Sequence, residues 1–497
     1  MTEGEARGRL SEVLRARRET LERLRARGVE PFALSFEPDA LAGDLHQRFG
    51  AIGVGQGTGE RVSVAGRIVL ERRHGKLSFL VIRDRSGDIQ LFCQEEALGP
   101  DGYAFLDDLD LGDIVGGEGE VVKTRRGELS VKVDRLVLLT KALRPLPEKW
   151  HGLRDPELRA RRRYLQLATD LDARRLVHDR ATVLRTLRTT LEGDGFVEVE
   201  TPVLHPTPGG ALARPFVAHH NVLDVDLYLR IALELYLKRL LVAGIERVYE
   251  IGRNFRNEGI DRDHNPEFTM LEFYQAYGTY EDMMRLSERL VRACAVAVRG
   301  GLRFEHLGRP VDLESPWRTV TVLEAVSGVV GEELSLDDPD RLRAMADRHG
   351  VGFHPGWGPG KVLLELFEKL VERDIWDPTF VKDFPREVSP LARPHRDDPR
   401  FTEHFDLVVC GMEIGPAYSE LTDPDEQRAR FEEQRRQRAE TGDEEAHPFD
   451  EDFLLALEHG MPPAGGMGIG IDRLLMILSD VPSIRDVISF PHLRPED

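Results

Sequence analysis

The segment from Arg247 to Tyr274, RVYEIGRNFRNEGIDRDHNPEFTMLEFY, constrains the chain more than any other. Its two ends alternate in polarity around a polar loop, the period of paired antiparallel strands. In the first strand Glu250, Gly252, Asn254, Arg256 and Glu258 share one face. In the second, Phe268, Met270, Glu272 and Tyr274 share a face, while Thr269, Leu271 and Phe273 point the other way. An arginine, an aromatic ring and several carboxylates on facing strand surfaces suit an anionic phosphate, a flat base and a cationic group together. A salt-bridged surface hairpin accounts for the alternating charge alone. It leaves the Phe-Arg-Asn-Glu-Gly and His-Asn-Pro-Glu-Phe-Thr clusters that bracket the loop without a reason.

At 497 residues the chain has room for two or three domains and a large core. A net charge of −20 argues against a generic nucleic-acid coater, which is basic overall, but leaves room for a local basic surface. Cys93, Cys294 and Cys410 stand far apart without CxxC spacing. They read as buried small apolar residues in a reducing compartment, with neither a zinc site nor a disulfide framework. No apolar run approaches a membrane span, and the polar start MTEGEARGRL is no signal peptide, so the expected location is cytoplasmic.

Residues 3–27 predict an amphipathic helix stopped at Gly28, with Leu10, Val13, Leu14, Leu21 and Leu24 among arginines. Its Arg15, Arg17, Arg18, Arg23, Arg25 and Arg27 suit RNA phosphate, yet Glu12, Glu19 and Glu22 stand at ion-pairing distance along the same helix. From Arg61 to Thr140 the texture changes to five short strands punctuated by Gly66, Ser86-Gly87 and Arg126-Gly127. That pattern fits a small closed barrel such as an OB-fold or a plain β-sandwich, and strand pattern alone does not separate them. Pro145 to Pro147 and Trp150 to Leu153 read as a linker, followed by an Arg-rich helical stretch from Asp155 to Leu191. Residues 280–300 and 361–373 are helical by period, with a Gly/Pro-rich loop from Gly350 to Gly360.

The hairpin segment resembles motif 2 of class II aminoacyl-tRNA synthetases in its lysyl form. Gly195 to Leu204 (GFVEVETPVL) resembles motif 1 with its proline at Pro202, and Gly466 to Leu475 (GMGIGIDRLL) resembles motif 3 with its arginine at Arg473. The three occur in family order, and the similarity runs from about Gly66 through Ile484 to Pro491. The resemblance implies an α+β chain: an N-terminal OB-fold barrel, then a catalytic domain built on an antiparallel sheet flanked by helices. The expected division is a helical extension over 1–55, an anticodon-binding barrel over 56–145 and a class II catalytic domain over 146–497. The implied activity is ATP-dependent lysine–tRNA ligation through a lysyl-adenylate. The implied partners are tRNA(Lys), ATP, L-lysine and a second copy of the chain, with Mg²⁺ as cofactor and no membrane.

Site residues follow from the same resemblance. Arg256 and Arg473 are the catalytic arginines that clamp phosphate. Phe268 stacks on adenine, and Glu258, His264, Asn265 and Gly468 line the ATP site. Asp406, where the family usually carries glutamate, and Glu413 bind Mg²⁺. Glu420, Glu272 and Tyr274 take the lysine ε-ammonium, Glu234 and the Gly210 backbone take the α-amino group, and Tyr418 walls the aliphatic stem. Phe79 stacks an anticodon base while Gln90 and Glu128 read base edges; an aromatic in a strand is otherwise usually core. Charge points the same way independently. Glu234, Glu272 and Glu420 face a single central Arg256, a surplus of anions that favours a cationic substrate side chain.

Three positions depart from the family pattern: Pro416 in place of asparagine, Asp263 in place of arginine (with Arg262 one position earlier), and Leu233 in place of proline. The rival readings are a paralogue that ligates lysine or a relative to a protein or lipid, and a non-catalytic RNA-binding protein. The barrel argues against a protein-modifying paralogue. Retention of Arg256, Glu258, Glu413 and Arg473 argues against a dead enzyme.

Overall fold

The computed structural model describes residues 3–146, 155–211, 213–441 and 449–495, in two compact units, Met1–Leu153 and Arg154–Asp497. Pro147 and Trp150 to Leu153 of the expected linker lie outside the described residues.

The first unit is a closed five-stranded barrel: β1 (Gly57–His74), β2 (Leu77–Arg83), β3 (Asp88–Gln94), β4 (Ile114–Lys123) and β5 (Leu129–Thr140), paired β1-β2-β3-β5-β4 with β4 returning to β1. Closure settles the barrel-or-sandwich choice in favour of the OB-fold. Alternation places Leu80, Ile82, Leu91 and Cys93 inside, and Phe79, Gln90 and Phe92 on the outer face. Helix α1 (Glu3–Ala26) ends before Gly28, whose φ of +72° is a left-handed stop. Leu24 of α1 and Leu45 of α2 (Ala42–Phe49) are buried in the barrel core, so this segment shares its hydrophobic interior.

Two arginines of α1, and Arg27 just past its end, are committed to that packing. Arg17 is buried and donates to the carbonyls of Ala142 at 2.7 Å and Leu111 at 2.9 Å. Arg23 and Arg27 converge on Asp108 at 3.0 and 2.5 Å, and Arg25 pairs with Glu22 at 3.0 Å.

The second unit is built on an eight-stranded sheet. Its strands are β6 (Val197–Glu198), β7 (Arg247–Phe255), β8 (Glu267–Ala276), β9 (Arg318–Thr321), β10 (Thr379–Lys382), β11 (His404–Val409), β12 (Met412–Ser419) and β13 (Ala464–Gly470). They lie in the order β9-β10-β11-β12-β13-β8-β7-β6, mostly antiparallel. The expected helical stretch before motif 1 breaks at Asp170, whose side chain caps helix α3 (Leu171–Gly193) by accepting from Asp172 and Ala173 N–H. Val183, Leu187 and Leu191 repeat every four residues and bury one stripe of α3 in the core under the sheet. Truncating Leu187 to alanine there costs about 2–5 kcal/mol. Helix α4 (Glu234–Val242) packs on β7 and β8, and α5 (Tyr280–Arg299) is fixed by a Thr279–Asp282 capping box.

Helix α6 (Ile471–Leu478) carries the second half of the motif 3 segment. Asp472 pairs with Arg180 of α3 and accepts the Thr269 N–H of β8 at 2.7 Å, so one carboxylate ties motifs 2 and 3 to the helix that leads into motif 1.

Candidate active site

The hairpin forms as its alternation predicts. Glu250 lies opposite Glu272, Gly252 opposite Met270 and Asn254 opposite Phe268, with Arg256 just past the end of β7. Three of the five expected members of the first strand's face, Glu250, Gly252 and the fully buried Asn254, do not line the cavity described below. Glu250 pairs with Arg230 at 2.6 Å and accepts from Thr201, so it braces the motif 1 loop instead of lining the site.

A cavity of about 300 Å³ opens over β8, β12 and β13. Of the residues marked in the sequence, Gly210, Glu234, Arg256, Glu258, His264, Asn265, Phe268, Glu272, Tyr274, Glu413, Tyr418, Gly468 and Arg473 all line it. Glu420 and Asp406 stand just behind the lining. Gly210 has φ +88°, and a Cβ there would press to 3.0 Å on Ala232 and 3.2 Å on Glu234.

Two charge clusters share this cavity. The first is acidic. Glu272 is buried, accepting the Leu233 N–H at 3.0 Å on Oε1 and the Tyr274 hydroxyl at 3.1 Å on Oε2. Burial, helped by neighbouring Glu234, pushes its carboxyl up to about 7. Glu420 is buried too, and burial pushes it to about 8 against the pull of Lys238. Lys238 was not foreseen. Its Nζ stands 2.5 Å from Glu234 Oε1 and 2.5 Å from Glu420 Oε2. The signal for it was an i,i+4 acid–base spacing on α4, which surface pairs show just as often.

The second cluster holds the arginines. Arg256 lies over the Phe268 ring at 5.1 Å. Arg473 donates to the Glu413 carbonyl at 2.7 Å, and its Nη2 sits 3.4 Å from His264 Nε2. Behind Glu413, Asp406 bonds His404 Nε2 at 2.9 Å. Burial holds the His404 imidazole down to about 3, and therefore neutral. Asp406 is raised by burial and by Glu413, and Glu372, also unforeseen, is pushed to about 7 by burial and the same two carboxylates.

The departures have distinct surroundings. Pro416 lines the cavity opposite Asp406 in register. Arg262 is engaged by Asp263 at 3.0 and 3.1 Å. Leu233 supplies the backbone donor to Glu272.

In the barrel unit Phe79 is half-buried on the outer face and stacks on Phe92, centroids 5.1 Å apart and 8° from parallel. It is not a core residue. Gln90 is only 5% exposed and donates to Ser130 Oγ at 2.8 Å, while the Glu128 side chain is exposed in the β4–β5 turn.

An OB barrel followed by an antiparallel sheet with an arginine-marked hairpin and a shared arginine–carboxylate cavity defines a class II tRNA synthetase. Residues 155–494 match the family described as tRNA synthetases class II (D, K and N), and residues 62–139 match the OB-fold nucleic acid binding domain. Curated relatives narrow the class. The lysine–tRNA ligases of Syntrophomonas wolfei and Moorella thermoacetica are each 49% identical over 488 residues, covering 98% of this chain and 98% and 99% of theirs. That of Thioalkalivibrio sulfidiphilus is 49% identical over 500 residues, the full length of both. The chain belongs to the lysine–tRNA ligase family, whose substrates are ATP, an amino acid and tRNA. No helix among the described residues is long and apolar enough to cross a membrane.

Proposed function

We propose that this chain activates L-lysine with ATP and transfers the lysyl group to the 3′ end of tRNA(Lys). The observation that carries the reading is the pairing of two charge clusters in one cavity: Glu234, Glu272 and Glu420 beside Tyr274, and Arg256 and Arg473 beside Phe268. A zwitterion with a second ammonium group meets the first, and a polyphosphate with a flat base meets the second.

In this reading Glu234 and the Gly210 backbone hold the α-ammonium, Glu420, Glu272 and the Tyr274 hydroxyl hold the ε-ammonium, and Tyr418 packs along the stem. Adenine stacks on Phe268, with Glu258, His264, Asn265 and Gly468 around the nucleotide. Arg256 clamps the α-phosphate and Arg473 the outer phosphates, each through a planar fork matched to phosphate oxygens. The lysine carboxylate, already ionised at neutral pH, attacks the α-phosphorus in line. The bond to the bridging oxygen breaks and pyrophosphate leaves. Alignment and charge neutralisation do the work, and no protein base is required. A ribose hydroxyl of the tRNA's terminal adenosine then attacks the acyl carbon, and AMP leaves.

Asp406 and Glu413 suit Mg²⁺: both are hard oxygen donors, and burial with the neighbouring carboxylates raises the carboxyls of Asp406 and Glu372. Among the described residues no three such side chains converge on a point that would hold an ion. The remaining ligands would be phosphate oxygens and water, as Mg²⁺ prefers. When bound, the ion supplies charge neutralisation on the polyphosphate.

Phe79, Gln90 and Glu128 are assigned to the anticodon, with Phe79 as the stacking platform. The working division is the helical extension over 1–55, the barrel over 56–145 and the catalytic domain over 146–497, acting in the cytoplasm as a homodimer. The decisive experiment offers radiolabelled lysine and ATP to the purified protein with tRNA. Lysine attached to tRNA is expected; label on protein or lipid, or no transfer, would overturn the reading.

A further inference from the structure

Lys238 is the one residue of the acidic cluster to which the reading above gives no task, yet it is fully buried at the centre of it. It follows Glu234 by one turn of α4, and its ammonium sits 2.5 Å from a carboxylate oxygen of Glu234 and 2.5 Å from one of Glu420. Those two carboxylates come from sequence positions almost two hundred residues apart, on a helix and just past the end of β12. Neither oxygen of Glu420 has a hydrogen-bond partner of good geometry among the described residues, so Oε2 is held by Lys238 as an ion pair. The other oxygen, Oε1, lies against Gly466 of the cavity lining, where a Cβ would stand 2.3 Å from it. One side of the Glu420 carboxylate is thus committed to Lys238, and the other is left open beside a glycine.

The charges can be counted. Glu234 faces in from α4, Glu272 and the Tyr274 hydroxyl from β8, Glu420 and the Tyr418 hydroxyl from β12 and its end, and the neutral His404 ring packs against Tyr418. Arg256 lies within reach of Glu272's charge. When all three are ionised, three carboxylates therefore face two cations, Lys238 and Arg256. Lysine brings two ammonium groups and one carboxylate, which makes four of each. Without Lys238 the empty pocket would carry a second uncompensated negative charge in a buried place, and buried charge without a partner is strongly disfavoured.

We propose that Lys238 is a positioning residue of the lysine pocket, a resident cation that holds Glu234 and Glu420 together and favours the ionised form of Glu420, so that a ligand with two ammonium groups and one carboxylate completes the balance. The inference rests on the lysine reading of the cavity. It differs from an ordinary buried ion pair in what it predicts for binding. Removing a neighbouring cation makes a carboxylate harder to ionise, so lysine recognition must move to higher pH.

The test compares Lys238→Met and Lys238→Arg in the full chain by lysine-dependent ATP–pyrophosphate exchange between pH 6 and 9, with ATP binding and melting as checks of folding. In Lys238→Met the lysine KM should rise at least tenfold at pH 7 with kcat changed far less. The midpoint of the kcat/KM profile for lysine should shift upward by about one pH unit. Lys238→Arg, which keeps the charge, should keep the wild-type midpoint whatever its rate. A folded Lys238→Met protein with the wild-type midpoint overturns the proposal. If Lys238→Met does not fold, Lys238→Met combined with Glu420→Gln decides: recovery of folding supports charge compensation, and an equally unfolded double variant overturns it. Failure of the lysine reading itself looks different, since exchange in the unaltered protein would then not depend on lysine.

Discussion

The backbone N–H of Leu233 donates to Oε1 of Glu272 at 3.0 Å, so the residue before α4 anchors a carboxylate of the cavity's acidic cluster. The family pattern places proline here, and proline has no N–H to give. The departure at Leu233 supplies Glu272 with a backbone donor that proline lacks. Leu233→Pro should therefore leave Glu272 with one bond fewer and cost about 1–3 kcal/mol of lysine recognition, with lysine binding displaced to higher pH. Leu233→Ala keeps the N–H and should lower the melting temperature without a selective rise in the lysine KM. Equal lysine affinity in Leu233→Pro and the parent would show that the bond does not contribute.

Glu272 and Glu420 also make the stability of the empty protein depend on pH. Their carboxyls are raised by burial to about 7 and about 8, from an ordinary value of 4.5. A folded state that holds protons longer than the unfolded chain is most stable at low pH, and loses that advantage as pH rises through the folded-state values. For Glu272 alone the loss between about pH 4.5 and 7 is on the order of 3 kcal/mol. Lysine supplies the missing positive charge. Its stabilisation, read as the difference in melting temperature with and without saturating lysine, should grow from pH 5 to pH 8. A lysine shift that is flat or falls over that range would contradict the assignment of these carboxylates to the ammonium.

Glu420→Gln removes the charge whose open oxygen lies against Gly466 while leaving Lys238 its bond to Glu234. By analogy with truncating one partner of a buried charge pair, lysine recognition should weaken by about 2–4 kcal/mol, roughly thirty- to a thousandfold in kcat/KM. ATP affinity should be nearly unchanged. Pyrophosphate exchange at wild-type lysine efficiency would remove Glu420 from the pocket.

Phe79 faces away from the barrel core and already stacks on Phe92, so Phe79→Ala should cost little folding stability. Its expected cost is on tRNA, about 1–3 kcal/mol for one lost stacking partner. Aminoacylation should fall while lysine-dependent pyrophosphate exchange stays intact. Loss of both together would mean that the ring holds the barrel instead.

Most of the hairpin and its cavity were legible because strand alternation carries facing information: Phe268, Met270, Glu272 and Tyr274 follow from period alone. Lys238 and Asp472 were not. Their partners, Glu420 and Arg180, are brought to them by the tertiary fold from distant positions, and no local pattern records that. Glu250 illustrates the converse. It has the right face, but the buried Arg230 beside Gly252 claims it. The arginines of α1 were ambiguous for a related reason, since Asp108, which takes Arg23 and Arg27, is far along the chain.

The last prediction concerns assembly. Strand β6 (Val197–Glu198) is the edge of the eight-stranded sheet, and such edges expose unpaired backbone groups. Among the apolar residues of the motif 1 segment, Phe196 buries itself against Phe273, their rings 6.1 Å apart, and Val199 is half-buried against the core. Three others stay outside: Val197 is 51% exposed, Val203 42% and Leu204 45%. Nearby in sequence Val217, Val222, Leu223 and Val225 are exposed as well. A surface of this kind suits an isologous contact, in which each copy buries the same patch against its partner. The same segment holds Thr201, which braces Glu250, and through the β7–β8 hairpin reaches the cavity. Dissociation is therefore expected to abolish adenylate formation. Val197→Glu combined with Leu204→Glu should convert a dimer to a monomer by light scattering and lower lysine-dependent pyrophosphate exchange at least tenfold. A fully active monomer at assay concentration would separate the site from assembly.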